Sequence, residues 1–391
     1  MNKGTYIFTQ LCQFLPRDYF EYLVKKYQGN KHVKSFTCWN HLMVLIWAQL
    51  SSRESLRDII TSLKFHKSKF HHMGFGKDVC RTTLSEANER RELKIFQLFA
   101  ERVIELAQKK RVNVDDLFMD GIDYRVFAVD STSIPLDINK YWWSTTQAGK
   151  GGLKLHVLLD LLTRIPIHNI ITDNTVRDQG VMDLFPYETA SFYIFDKAYV
   201  KLLSLSKIDD LGAFFIVRRK KKMYYEILEE FNCSDKSNGV LRDLKIKLSG
   251  RWAAARYKQP LRIVYYYSEE KNRVFEFFTN NFEMTPDKIA HLYRCRWQIE
   301  IFFKWVKQHL KIKRFYGMSE NAVKIQIYVA IITYCMIAIV EKDYKIEIPT
   351  FDLLRILGIS LFERKNLKDF FSEEKEYKNC QNDSFQNLNL F

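Results

Sequence analysis

The run Tyr293-Arg-Cys-Arg-Trp-Gln-Ile-Glu-Ile-Phe-Phe-Lys-Trp-Val-Lys307 decides how the rest of the chain is read. Ahead of it stands Thr285-Pro286-Asp287: an N-cap residue, a proline whose fixed φ suits the first helical position, and an acid in the first turn. No Pro or Gly then interrupts before Gly317, so one long helix is expected. At about 100° per residue, Tyr293, Arg296, Glu300, Lys304, Lys307 and Lys311 fall in a stripe roughly 80° wide. One carboxylate therefore sits among a phenol, a guanidinium and three ammonium groups. Such a stripe can be a solvated face held by i, i+4 pairs such as Glu300–Lys304. It can equally grip a phosphate backbone around one metal-binding acid.

The surrounding chain favours the second reading. Its 391 residues, 47% apolar and 15% aromatic, describe a globular protein large enough for roughly two or three domains. A net charge of +15 points to a polyanionic partner or an acidic membrane surface. The charge is concentrated: residues 286–316 carry eight Lys/Arg against two acids, and residues 218–222 are Arg-Arg-Lys-Lys-Lys, read as a solvated loop. Seven cysteines form no CxxC pair and no Cys/His group at zinc spacing, which fits a reducing cytoplasm. The opening Met-Asn-Lys-Gly-Thr-Tyr lacks the basic-then-apolar order of a signal peptide. Ile327–Val340 is apolar over fourteen residues, short of the roughly 18–20 that span a bilayer, so a buried core helix and no membrane partner are expected.

Residues 1–115 read as helical and basic, with capping-box patterns at Ser51-x-x-Glu54 and Thr83-x-x-Glu86, the second opening a helix to Lys109. Trp39, Leu42, Met43, Leu45, Ile46 and Leu50 form the buried stripe of another helix. From Arg125 the texture turns to strands: 125–130 and 191–196, each ending in an acid, with 153–159, 165–171 and 213–217. Residues 218–282 are β-rich, with strands expected at 222–228, 241–248, 261–267 and 274–279. The Glu300 helix follows, then an apolar helix over 322–341, a helical stretch near 350–370 and a polar tail. The fold class is α/β, preceded by an all-α N-terminal region.

Two strands ending in Asp130 and Asp196, with a helix presenting Glu300, supply what two divalent ions need. Hard Mg²⁺ prefers carboxylate oxygens and keeps waters to exchange for phosphate oxygens. A metal pair can activate an attacking oxygen and stabilise the leaving one in an in-line displacement. Asp160, Asp173 and Asp178 read as turn or cap residues, although Asp160 and Asp178 compete with Asp196 by position.

With these residues in place, the chain resembles DDE transposases of the insertion-sequence-4 type, whose hallmark is Tyr-(2)-Arg-(3)-Glu-(6)-Lys. Tyr293, Arg296, Glu300 and Lys307 match that spacing at all four positions. Val129-Asp130-Ser-Thr resembles the family's first-acid motif and Asp196-Lys-Ala-Tyr199 its second, within a similarity covering residues 125–345. The resemblance implies a ribonuclease-H-like core (125–217 and 283–345) with a β-rich insertion (218–282), a helical N-terminal DNA-binding domain (1–115) and a helical C-terminal segment with its tail (346–391). It implies Asp130, Asp196 and Glu300 as catalytic ligands of two Mg²⁺ ions, with Mn²⁺ able to substitute. Tyr293, Arg296 and Lys307 would hold DNA phosphates. A homodimer would cleave double-stranded transposon ends at their inverted repeats and join them to target DNA. Excision through a hairpin would stack a flipped base on an aromatic. Phe275 stands where members often carry Trp, and Trp252 and Trp297 are alternatives otherwise expected to pack in the core. The competing functions are an end-binding protein that does not cleave, and a plain nuclease of the same core fold.

Overall fold

The computed structural model describes residues 5–70, 74–76, 78–111, 124–144, 151–220, 223–232, 238–309, 314–346, 348 and 350–372. Among them, the apolar runs from Arg125 onward form nine strands: β1 (Arg125–Pro135), β2 (Gly152–Asp160), β3 (Pro166–Asp173), β4 (Ser191–Phe195), β5 (Phe214–Arg218), β6 (Tyr225–Phe231), β7 (Val240–Leu248), β8 (Leu261–Ser268) and β9 (Arg273–Thr279). They share one sheet in the order β3-β2-β1-β4-β5-β9-β8-β7-β6. β1, β2 and β3 are antiparallel neighbours, whereas β4 and β5 run parallel to β1 and to each other. Parallel strands are covered on both faces, which is why Val126–Val129 and all of β4 are buried without alternation. This order and these directions make a ribonuclease-H-like core. The strands from 218–282 do not form a separate sheet: β9 pairs antiparallel with β5, so β6–β9 prolong the core sheet.

Alternation sorts the side chains. Phe127, Val129, Tyr193, Phe195, Phe215 and Val217 lie in one core cluster with Met182, Leu205 and Tyr257. Their even-numbered neighbours point to the opposite face, on which helix Pro286–Cys295 packs through buried Ile289 and Leu292.

Contacts divide the chain into a sheet unit, residues 112–138 and 144–303, and a helical unit, residues 1–111, 139–143 and 304–391. The expected core segment 283–345 is therefore split, because helix Glu320–Asp343 gives its apolar surface to helices Cys38–Leu50 and Leu93–Arg111. That helix is long and apolar enough to cross a membrane, but 89% of its most apolar window is buried inside the protein. Its polar groups are met there: Gln49 Nε2 donates to the Gln326 carbonyl at 3.0 Å, and Thr333 Oγ1 to Gln49 Oε1 at 3.1 Å.

In the helical unit the caps and breaks differ from the local signals. Ser51 ends helix Cys38–Leu50, and it is Ser55 that caps the next helix by accepting from Asp58 N–H. The long helix expected from Thr83 is two, Arg81–Arg90 and Leu93–Arg111, with extended backbone at Arg91. The break is held from a distance. Asn321 Nδ2 donates to the carbonyls of Asn88 and Arg91 at 3.1 and 2.8 Å, satisfying groups that a helix end leaves open.

Candidate active site

Val129 pairs with Phe195 and Phe195 with Val217 in parallel register, so Asp130, Asp196 and Arg218 stand abreast one position beyond. All three have the parity of the face that carries helix Pro286–Cys295. Asp196 follows β4 and Arg218 closes β5, at carboxyl ends where open α/β sheets bind ligands. Asp130 does not end its strand as expected but lies within β1, paired with Val157, because β1 runs on to Pro135 beside β2. Asp130 Oδ1 accepts from the Ser131 N–H at 2.8 Å. Asp196 Oδ1 lies 3.3 Å from an Arg218 nitrogen and accepts from the Tyr293 hydroxyl at 3.4 Å. The Tyr293 ring is fixed against Phe277, centroids 4.5 Å apart.

The Glu300 stretch is not one continuous helix. Pro286–Cys295 and Trp297–His309 meet at Arg296, whose N–H bonds back three residues to the Tyr293 carbonyl, while Ile299 N–H bonds to the Arg296 carbonyl. This 3₁₀-type tightening brings residues three apart into line. Arg296 then reaches two acids at once: Nη1 donates to Asp130 Oδ2 and Nη2 to Glu300 Oε1, each at 2.6 Å. Its side chain is 14% exposed, and its Nε is buried without a hydrogen-bond partner among the described residues.

Burial pushes the Asp130 carboxyl up from 3.8 to about 6; Arg296 and the Ser131 N–H oppose this, while the charges of Asp196 and Glu300 add to it. Burial likewise raises the Tyr293 phenol. Among the described residues no three His, Cys, Asp or Glu side chains are already gathered around one point for a metal, since the Arg296 guanidinium lies between Asp130 and Glu300. The donor chemistry nevertheless fits a hard divalent ion: three carboxylates on one side of the sheet, two of them already sharing a positive charge.

The competing acids have other work. Asp160 Oδ1 accepts from the N–H groups of Leu162 and Thr163, closing the β2–β3 turn. Asp178 accepts from Ser131 Oγ at 2.8 Å and Lys154 Nζ at 3.2 Å, and Ser131 has the opposite parity to Asp130. Lys307 is half-buried in the helical unit, and Lys311 lies outside the described residues.

Trp252 and Trp297 do not pack in the core but are 75% and 55% exposed, with Arg256 and Lys271 respectively over their rings. The basic run from Arg218 is not merely solvated: Arg218 meets Asp196, Arg219 pairs with Glu276, and Lys220 reaches the Val200 carbonyl. Arg218 is the neighbour of Asp196 that composition hid; its place as the first polar residue after the apolar run Phe214–Val217 was the available signal.

The fold defines the chain as a ribonuclease-H-like protein. More particularly, it belongs to the transposase DDE domain family, whose profile matches residues 121–336. A second profile, the domain of unknown function DUF4372, matches residues 3–76. The chain is 31% identical over 242 residues to y4zB of Sinorhizobium fredii, named as a transposase, spanning 61% of this chain and 67% of that one. It is 27% identical over 210 residues to a Geobacillus stearothermophilus protein named as a transposase of insertion sequence element IS5377, covering 54% of this chain and 55% of the relative. A Synechocystis protein named as a transposase of element IS4SA is 23% identical over 354 residues, covering 88% and 95% respectively. The piggyBac transposase, solved as a synaptic complex with hairpin DNA, aligns with 90% of this chain and 79% of its own at 10% identity and a TM-score of 0.45.

Proposed function

We propose that this chain is a cut-and-paste transposase that binds the inverted repeats of an insertion sequence, cleaves at the ends and joins them to target DNA. The observation that carries the reading is that Asp130 and Asp196 stand side by side, one position beyond a parallel pairing, with Glu300 drawn to Asp130 through Arg296. Asp130, Asp196 and Glu300 would hold two Mg²⁺ ions, with Mn²⁺ able to replace them. Bound ions of this kind lower the pKa of an attacking water or 3′-hydroxyl and stabilise the leaving oxygen. The chain's own part is positioning. Tyr293 donates through its hydroxyl, Arg296 offers a planar pair of donors, and Lys307 adds a point charge, all toward backbone phosphates. Arg218 balances the charge of Asp196. We assign end recognition to residues 1–115, catalysis to residues 125–217 with 283–345, and assembly on paired ends to a homodimer acting in the bacterial cytoplasm.

A second reading has one observation in its favour: Glu300 is ion-paired to Arg296, as a purely structural acid would be. One assay separates the two. Purified protein is given a duplex carrying the sequence that flanks its gene, with and without Mg²⁺. Nicking and strand transfer by the wild type, absent in Glu300→Gln, support the transposase; nicking retained in Glu300→Gln supports a structural acid.

A further inference from the structure

We infer that Arg296 is an internal counter-cation that a divalent ion must displace, and that its release frees the guanidinium for a DNA phosphate, so that ion binding and DNA binding reinforce each other. The inference rests on the proposed role of Asp130 and Glu300 as ion ligands and adds a coupling between that role and the DNA grip.

The competition is for particular atoms. Asp130 has one oxygen, Oδ1, already accepting from the Ser131 N–H. The other, Oδ2, is taken by Arg296 Nη1, and Glu300 Oε1 is taken by Nη2 of the same guanidinium. A cation that draws on Asp130 Oδ2 and Glu300 Oε1 therefore meets a unit positive charge already bonded to both. Two cations do not share these oxygens without strong repulsion, because the side chain is largely withdrawn from solvent.

The arrangement also leaves Arg296 unsatisfied. Its Nε–H is buried with no partner among the described residues. An unmet buried donor is unfavourable, so the bridged arrangement is less than optimal for the arginine itself. By contrast, Asp196 is held by Arg218 and Tyr293 at 3.3 and 3.4 Å, longer contacts that do not involve Arg296. Arg296 thus pairs with two of the three acids and not with the third.

Once displaced, a planar guanidinium at the edge of the acids finds its best alternative in a phosphate, which it can bond through two parallel N–H groups. Because binding free energies are reciprocal, an ion that strengthens DNA binding through Arg296 must itself bind more tightly when DNA is present.

The test is a calorimetric titration of Mn²⁺ into the full chain without DNA, for wild type, Arg296→Gln and Arg296→Lys, each checked for folding by circular dichroism. Arg296→Gln removes the competing charge, so its Mn²⁺ affinity is expected to rise by roughly fivefold or more. Arg296→Lys keeps a charge that cannot bridge both acids, and an intermediate affinity is expected. In parallel, Ca²⁺ is expected to tighten wild-type binding to a fluorescent end duplex and to have little effect on Arg296→Gln. Equal Mn²⁺ affinity in wild type and variants, or weaker binding in Arg296→Gln, overturns the counter-cation while leaving the ion-ligand reading intact. No Mn²⁺ binding by any of the three overturns the ion-ligand reading itself. If Arg296→Gln does not fold, Arg296→Lys decides: an affinity no higher than wild type overturns the inference.

Discussion

Glu300 and Arg296 lie one helical turn apart and are ion-paired at 2.6 Å, and the same guanidinium joins Glu300 to Asp130. Clustered acids alone would repel, so that neutralising one would stabilise the protein; the bridging arginine reverses that expectation. Glu300→Gln keeps the shape of the side chain but loses an attractive pair. Its carboxylate is 34% exposed, so in the absence of divalent ions the variant is expected to lose less than about 1 kcal/mol of stability. Mg²⁺-dependent nicking is expected to vanish while end binding persists. Thermal melts read the first and a nicking gel the second; robust nicking would remove Glu300 from the catalytic set.

The residues proposed to hold phosphates make separable predictions. Lys307→Ala removes one cationic contact and should lower the slope of log K against log salt by about 1. Tyr293→Phe keeps the ring on Phe277 and removes only a neutral donor. End binding should therefore weaken without a change of slope. Anisotropy titrations across a salt series test both, and an unaltered slope in Lys307→Ala returns that lysine to the surface.

Much of this was legible because strands buried on both faces advertise themselves. Val126–Val129 and Phe192–Phe195 are unbroken apolar runs, and the first polar residue after each is one of the two neighbouring acids, Asp130 and Asp196. What escaped the sequence was long-range pairing. Arg296 meets Asp130 across 166 residues and Tyr293 meets Asp196 across 97, contacts fixed by sheet register and invisible to helical periodicity. The break at Arg296 has no Gly or Pro to announce it, and the break at Arg91 is secured by Asn321 far along the chain. Trp252 and Trp297 are exposed against expectation for a simpler reason: size and apolarity favour burial only on average.

His41 gives the helical unit a pH response. Its Nε2 bonds Asn88 Oδ1 at 2.7 Å, and its Nδ1 is buried with no partner among the described residues. Burial, aided by the nearby charge of Arg91 and opposed by the Asn88 bond, pushes the imidazole down from 6.5 to about 3. The unfolded chain thus takes up a proton below pH 6.5 that the folded chain refuses until about 3. Stability present above pH 6.5 is therefore lost as pH falls. Between pH 7 and pH 4 the loss from this group is on the order of 3 kcal/mol. Urea midpoints at several pH values should show His41→Gln losing less stability on acidification than wild type; parallel profiles would refute the assignment.

The entry to helix Pro286–Cys295, which precedes the helix that carries Glu300, is anchored by a buried ion pair. Arg262 on β8 meets Asp243 on β7 through two bonds, Nε–Oδ1 at 2.8 Å and Nη2–Oδ2 at 2.7 Å. Its remaining nitrogen, Nη1, donates to the carbonyls of Met284 and Asn281, the segment that leads into Pro286. Arg262→Met leaves Asp243 buried and unpaired, and a loss of about 3–5 kcal/mol is expected. Adding Asp243→Leu removes the orphaned charge, so the double variant should recover much of that stability. It cannot recover the two carbonyl contacts, each worth about 1 kcal/mol, that fix the helix entry. The double variant is therefore expected to fold well yet nick slowly. Denaturant titration and single-turnover nicking together test this, and a stable double variant with wild-type nicking would show that the pair serves the sheet alone.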